Sequence, residues 1–281
     1  MSAWFDQHTF AALLRRYQPS PFERYDDADS RFRRPMHHAL KCRERFLIAL
    51  RSGLTGLPEG ETTIVDFGPY PGSLLRLIRA WRRDPRLRLY GAGLMTSPDF
   101  VRFMQEDCGA HILTVNLDPS GRQFSAKGYA EQVPLPSASA HLVFALEIIE
   151  HLSSPYHLLD EAYRLLIPGG RVVITTPNVT RIGNIFKLLA GKTPHDRLAP
   201  PGYQNPDDEW QPHVREYAMA ELAQMLAHAG FDIATRRFFL GEDTQECIRS
   251  MTQRGIDWVK LPFFIIPHLR GSLLIVGRKP A

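Results

Sequence analysis

The feature that most narrows the folds open to this chain is an alternation. Short runs of β-branched and aliphatic residues take turns with segments of helical period from Thr63 onward. The spacing predicts strands over Thr63–Phe67, Arg88–Ala92, Ile112–Val115, Leu142–Leu146, Arg171–Thr176, Phe231–Phe239 and Ser272–Arg278. Between them, Tyr156–Leu166 places apolar residues at 158, 159, 162, 165 and 166, one face of a helix, which Pro168-Gly169-Gly170 ends. Met219–Ala229 repeats the pattern, with Gly230 in the left-handed position past a helix end. Strands alternating with helices specify an α/β fold, a mostly parallel seven-stranded sheet of Rossmann-like type with helices on both faces. The last two strands are joined without a clean helical crossover.

Residues 1–57 read differently: helical and basic. Phe46, Leu47, Ala49 and Leu50 lie on one apolar face, and Gly53 with Gly56-Leu57-Pro58 closes the segment. We therefore expect a helical N-terminal segment over 1–57 and an α/β domain over 58–281. The 281 residues are 44% hydrophobic and 23% charged, enough to bury a sizeable core. A net charge of +4 without a long Lys/Arg run argues against a nucleic-acid partner. The three cysteines, Cys42, Cys108 and Cys247, lack disulfide or zinc-type spacing. The adjacent His37 and His38 would point apart on a helix, so no metal site is expected. With no signal-peptide pattern and no apolar run near the roughly 20 residues of a spanning helix, a cytoplasmic location is expected. Thr193–Pro212 is rich in Pro, Asp and Gly and reads as a long loop.

The chemistry begins at Ile64-Val65-Asp66-Phe67-Gly68-Pro69-Tyr70-Pro71-Gly72, followed by the helical SLLRLIRAW. A strand here runs through a glycine turn into a helix. The glycines let backbone approach a ligand, the helix N-terminus favours anionic groups, and an acid at the strand end can hold an ammonium. Next come Ala130-Glu131-Gln132-Val133-Pro134-Leu135-Pro136, then LVFALEIIEHL, Pro168-Gly169-Gly170 and RVVITTPN. The series ends with His213-Val214-Arg215-Glu216-Tyr217, a helix, and Ala229-Gly230-Phe231.

This ordered set resembles the class I S-adenosylmethionine (SAM) methyltransferases that act on small molecules, of the ubiquinone and sugar type. TTPNVTRIGNIFKLLAGKTP and HVREY are also similar to methyltransferases of bacterial surface-polysaccharide pathways. The resemblance runs over residues 60–240. It implies SAM as cofactor, held by Asp66, Gly68, Tyr70 and Gly72 in the loop and by Gly93 and Leu94 after the second strand. It adds Tyr129, Ala130 and Glu131, and Leu146 and Glu147 at the end of the fourth strand. Several of these depart from the family text. Tyr70 replaces the middle glycine, Gly93 the acid that holds the ribose hydroxyls, and Tyr129 the Asp that holds the adenine amino group. His141 replaces the Asp that opens the fourth strand. Two of the changes remove charge-assisted hydrogen bonds worth about 1.5–3 kcal/mol each. A tyrosine could compensate by stacking on adenine or facing the sulfonium.

The same resemblance places the acceptor beside Glu150 and His151. A histidine titrates near neutrality and can take an acceptor's proton. His151 is the first candidate base or else a capping or core histidine, and His213 is its rival. Glu150 positions the substrate, caps the helix or, if burial raises its pKa, serves as a third base. Arg215 and Tyr217 either orient an acceptor or form a surface patch. Asn178 either touches the acceptor or closes a turn. The implied reaction is methyl transfer to a hydroxyl of a sugar or small metabolite, with residues 1–57 and 193–217 covering the acceptor. Two other readings stay open: a SAM user that displaces another carbon and releases methylthioadenosine, or a methyltransferase-like domain without catalysis. A nicotinamide enzyme is disfavoured, because the loop is Gly68-x-x-x-Gly72 and no acid ends the second strand. LPFFIIP, 261–267, either packs before the last strand, lines a lipid-like acceptor pocket or meets a membrane surface.

Overall fold

A computed structural model describes residues 5–23, 38–94, 96–118, 131–195, 213–241 and 265–281. Seven strands form one sheet: β1 (Thr62–Phe67), β2 (Leu87–Gly93), β3 (Ala110–Thr114), β4 (Ala140–Leu146), β5 (Leu166–Pro177), β6 (Asp232–Phe239) and β7 (Ser272–Arg278). Their spatial order is β3-β2-β1-β4-β5-β7-β6. β1 runs parallel to β2 and β4, β2 to β3, and β4 to β5. β7 is antiparallel to both of its neighbours. The mostly parallel seven-stranded sheet is as the sequence pattern predicts.

The helices are α1 (Gln7–Arg16), α2 (His38–Lys41), α3 (Arg43–Leu54), α4 (Ser73–Trp81), α5 (Pro98–Cys108), α6 (Pro155–Leu165), α7 (Ile182–Leu189) and α8 (Met219–His228). Strand residues alternate between two buried layers, as a period of two requires. Leu142, Phe144 and Val173 join Ile64, Leu50, Leu75 and Phe100 on one face. Val143, Ala145, Val172 and Ile174 join Leu158, Leu159, Leu222 and Leu226 on the other. Helices thus cover both faces, as parallel sheets demand.

The described N-terminal residues belong to the first layer, to which Phe5, Phe10, Phe46 and Leu54 contribute. α3 presses so closely on the sheet that a Cβ at Gly53 would lie 2.7 Å from Phe144 Cζ. Arg171 closes the end of α3 by donating to the carbonyls of Gly53 and Thr55, each at 3.0 Å. A buried carboxylate ties this segment to α4. Glu23 accepts from Tyr17 Oη at 2.6 Å, the Ser20 amide at 2.7 Å, Arg76 Nη1 at 2.6 Å and Ser73 Oγ.

One boundary differs from expectation. β5 begins before Pro168-Gly169-Gly170 rather than after it. Leu166 pairs with Ala140, and the pairing resumes with Arg171 opposite Leu142. The Pro-Gly-Gly residues bulge out between, with Gly169 at φ 77° and its amide donating to Lys279 O at 2.9 Å. Gly230 is left-handed, φ 91°, as predicted.

Candidate active site

The carboxyl ends of the parallel strands carry two neighbouring groups of residues. The first surrounds the loop after β1. Asp66 stands near the end of this central strand, 3% exposed, and burial pushes its carboxyl well above the usual carboxylate range. Gly68 (φ 75°) and Gly72 (φ 95°) give the loop its turns, conformations that a side chain would strain. Neither has room for a Cβ: at Gly72 it would lie 2.5 Å from Met104 Sδ, at Gly68 3.0 Å from Ile148 Cδ1. Gly72 also caps α4, whose amides open toward the loop.

The departures from the family text have structural counterparts. Pro69 lies over β2: a Cβ at Gly91 would be 2.6 Å from Pro69 Cβ, and one at Gly93 3.2 Å from Pro69 Cδ. The loop proline therefore crowds the place where an acid would stand. Just beyond, Thr96 Oγ1 and Thr114 Oγ1 meet at 2.6 Å on the surface. This hydroxyl pair had no signal in the sequence. The Tyr70 ring turns into an aromatic cluster, with Phe100 at 5.3 Å and Phe22 at 6.5 Å between centroids. His141 accepts from the Thr63 amide at Nδ1, 3.2 Å, and so joins β4 to β1. Leu94 is 38% exposed. Glu131 accepts from the Asn116 amide at 2.9 Å. Tyr129 and Ala130 lie outside the described residues.

The second group gathers beyond β4. Leu146 ends the strand, and Glu147 turns the chain at φ 55°, a left-handed backbone uncommon for a non-glycine residue. The short turn Ile149–His151 follows. Glu150 is fully buried. Its Oε2 accepts from Thr176 Oγ1 at 2.9 Å, and among the described residues its Oε1 has no hydrogen-bond partner. Burial, then the nearby charge of Glu147, push its carboxyl well up. The Glu150 carbonyl accepts from the amides of Val214 at 2.8 Å and Arg215 at 3.2 Å, which brings His213 over the site. The His151 and His213 rings then meet edge to face, 4.8 Å between centroids. The candidate bases Glu150, His151 and His213 come together, with one donor atom of each within 4.8 Å of the others.

The surroundings hold this group in place. Arg45 Nε of α3 lies 3.7 Å from Glu147 Oε1, a contact the sequence did not reveal. Glu216 accepts from Arg181 and from Asn184 Nδ2 at 2.9 Å, and lies 3.6 Å from His213 Nδ1. Burial alone would raise its carboxyl, but these donors hold it down at about 2. Asn178 is spent on structure: its amide donates to the carbonyls of His268 (2.9 Å) and Arg270 (2.8 Å), and its oxygen accepts from Thr180. Tyr217 is 1% exposed and pairs with Asn178 through a parallel bridge. Burial pushes its phenol up to about 12. Arg215 reaches outward to Glu221.

The two groups touch, since Gly68 of the loop faces Ile148 of the turn that carries Glu150 and His151. A methyltransferase-domain family model matches residues 36–235, and the chain belongs to this class I SAM-dependent methyltransferase family. Over 106 residues it is 31% identical to a Mycolicibacterium smegmatis protein named "Probable S-adenosylmethionine-dependent methyltransferase", covering 38% of this chain and 34% of that protein. It is 25% identical over 141 residues to the ubiquinone biosynthesis O-methyltransferase of Dechloromonas aromatica, covering 48% and 57%. The chain thus spans between 34% and 57% of these relatives' lengths. Its fold is similar to the structure of a complex between the Haloferax volcanii Trm112 methyltransferase activator and a methyltransferase. That likeness has TM-score 0.54 at 20% identity, over 85% of this chain and 92% of that one. Among the described residues, no helix is long and apolar enough to cross a membrane.

Proposed function

We propose that this protein transfers a methyl group from SAM to a hydroxyl of a small-molecule acceptor, a sugar being the first class to try. The observation that carries the reading is the convergence of Glu150, His151 and His213 at the carboxyl end of β4, directly beside the loop of Asp66, Gly68 and Gly72. The loop suits SAM at one end: Asp66 can hold its ammonium, and the positive-φ turns at Gly68 and Gly72 shape the backbone that would seat it. At the ribose end Gly93 offers no carboxylate, and the Thr96–Thr114 hydroxyl pair could serve in its place, Thr114 being the strand residue opposite Gly93.

SAM supplies an activated methyl group and leaves as S-adenosylhomocysteine. The chain's own residues orient and deprotonate the acceptor. As the new carbon–oxygen bond forms, the hydroxyl proton leaves toward the Glu150, His151 and His213 group, with His151 ranked first. Positioning supplies most of the acceleration. Arg45 from the N-terminal segment and the His213–Tyr217 stretch border the group, which supports a covering role for residues 1–57 and 193–217. Residues 196–212 of that loop lie outside the described residues.

The test is incubation with SAM and a panel of hydroxylated acceptors, with products read by mass. S-adenosylhomocysteine together with a methylated acceptor is the expected result. Methylthioadenosine in its place would overturn the methyl-transfer reading.

A further inference from the structure

Among the described residues, one group of His, Cys, Asp and Glu side chains has the proximity that a metal ion needs: Glu150, His151 and His213. One donor atom of each lies within 4.8 Å of the others. Ligands bound at about 2.0–2.2 Å stand at most about 4.4 Å apart, so a rotamer adjustment closes the site. No sequence spacing announces this group, because 62 residues separate His213 from His151.

We propose that Glu150, His151 and His213 bind one divalent transition-metal ion, zinc being the simplest occupant, and that the ion receives the acceptor's hydroxyl oxygen. Three observations support it. First, Glu150 is fully buried, and among the described residues its Oε1 has no hydrogen-bond partner, although Oε2 is held by Thr176. A buried carboxylate oxygen without a partner is costly, and a cation would meet the cost. Second, the two imidazoles are set edge to face at 73°, with Glu216 3.6 Å behind His213 Nδ1. A carboxylate behind a ligating histidine orients its ring. Third, the donor chemistry selects the ion. Two imidazoles and one carboxylate suit zinc, iron or cobalt better than magnesium or calcium, which favour oxygen alone. Three protein ligands leave further positions open. An acceptor oxygen seated there would lose its proton more readily, the proton passing to solvent because His151 and His213 then serve as ligands rather than as bases.

The inference rests on the proposed function for the acceptor, but its test does not. The whole protein, stripped by a chelator and dialysed, is titrated with zinc chloride by calorimetry. A parallel titration with cobalt chloride is followed by visible absorption. One equivalent of zinc should bind. Glu150→Gln, His151→Ala and His213→Ala should each weaken it at least about tenfold. His228→Ala, at the end of α8 and away from the group, should leave binding unchanged and so controls for surface histidines. Thermal unfolding of each variant shows that it is folded. If an alanine variant does not fold, the near-isosteric Glu150→Gln decides. Absence of saturable uptake, or uptake that all three variants retain, overturns the site. Methyl transfer that proceeds equally in the chelated protein also overturns it, yet leaves the proposed function standing. Metal bound by these residues without any methylated acceptor supports the site and counts against the proposed function.

Discussion

The two halves of the candidate site are built from different materials. The nucleotide end is mostly backbone: Gly68 and Gly72 with positive φ, Gly91 and Gly93 under Pro69, and one buried acid, Asp66. The acceptor end is mostly side chain. Arg45, Glu147, Glu150, His151, Thr176, Arg181, His213 and Glu216 reach it from distant parts of the chain. A backbone cradle selects by shape and tolerates little added volume. A cluster of side chains selects by charge, and one substitution changes its chemistry without disturbing the fold. Variants should therefore separate the halves, each damaging one function and sparing the other.

The largest effect is expected from the acceptor end. His151→Ala should cut turnover by about 10² or more while barely changing SAM affinity. Paired kinetics and calorimetry check this. If His151→Ala stays active and His213→Ala does not, the centre of the chemistry shifts to His213.

Next comes Asp66→Ala, expected to weaken SAM binding about tenfold, or ~1.4 kcal/mol, with the fold intact. Its pH dependence is sharper. Burial raises the Asp66 carboxyl, so the free protein holds it protonated above the ordinary carboxylate range. SAM's ammonium favours the ionised form. Binding therefore releases a proton, and affinity rises with pH through the raised value and falls below it. Calorimetry over a pH series should show this slope in the natural protein and lose it in Asp66→Asn. A slope that persists would remove Asp66 from the site.

A smaller effect tests the missing acid. Gly93→Asp restores a carboxylate at the end of β2, but its Cβ would stand 3.2 Å from Pro69 Cδ. SAM affinity should change by less than about threefold, well short of the gain from one charge-assisted hydrogen bond. A tenfold gain would show that Pro69 does not stand in the way. The smallest effect belongs to Arg215→Ala. Its exposed pair with Glu221 should contribute only about 0.2–0.5 kcal/mol, measured by denaturant unfolding.

The sequence made the backbone half legible and the side-chain half only in part. Glycine turns leave a local signal, and the strand periods fix the sheet, so Asp66, Gly68 and Gly72 lie at a strand end as expected. Glu150, His151 and His213 are legible only through the family resemblance of the EHL and HVREY text, not from any period of the chain. Arg45, Glu23 and the Thr96–Thr114 pair were not found, since each acts through contacts far along the chain that have no period. Asn178 shows the opposite limit. An amide after a strand looks the same in sequence whether it faces a substrate or holds the 268–270 backbone, and here its hydrogen bonds are made with that backbone. The start of β5 was misplaced because Pro168-Gly169-Gly170 reads as a stop, yet the sheet accommodates it as a bulge.

The place of β7 between β5 and β6 bears on the order in which the protein can assemble. During synthesis β6 leaves the ribosome before the strand that must separate it from β5. Among the described strands, β5 has an open edge and β6 no partner until residues 272–278 have been made. Such edges invite wrong partners. The parallel part, β1 to β5, can form early around its own core, while the antiparallel β6–β7 pair must wait for the last strand. A released chain truncated before residue 272 should therefore hold chaperones longer than one that includes residues 272–278.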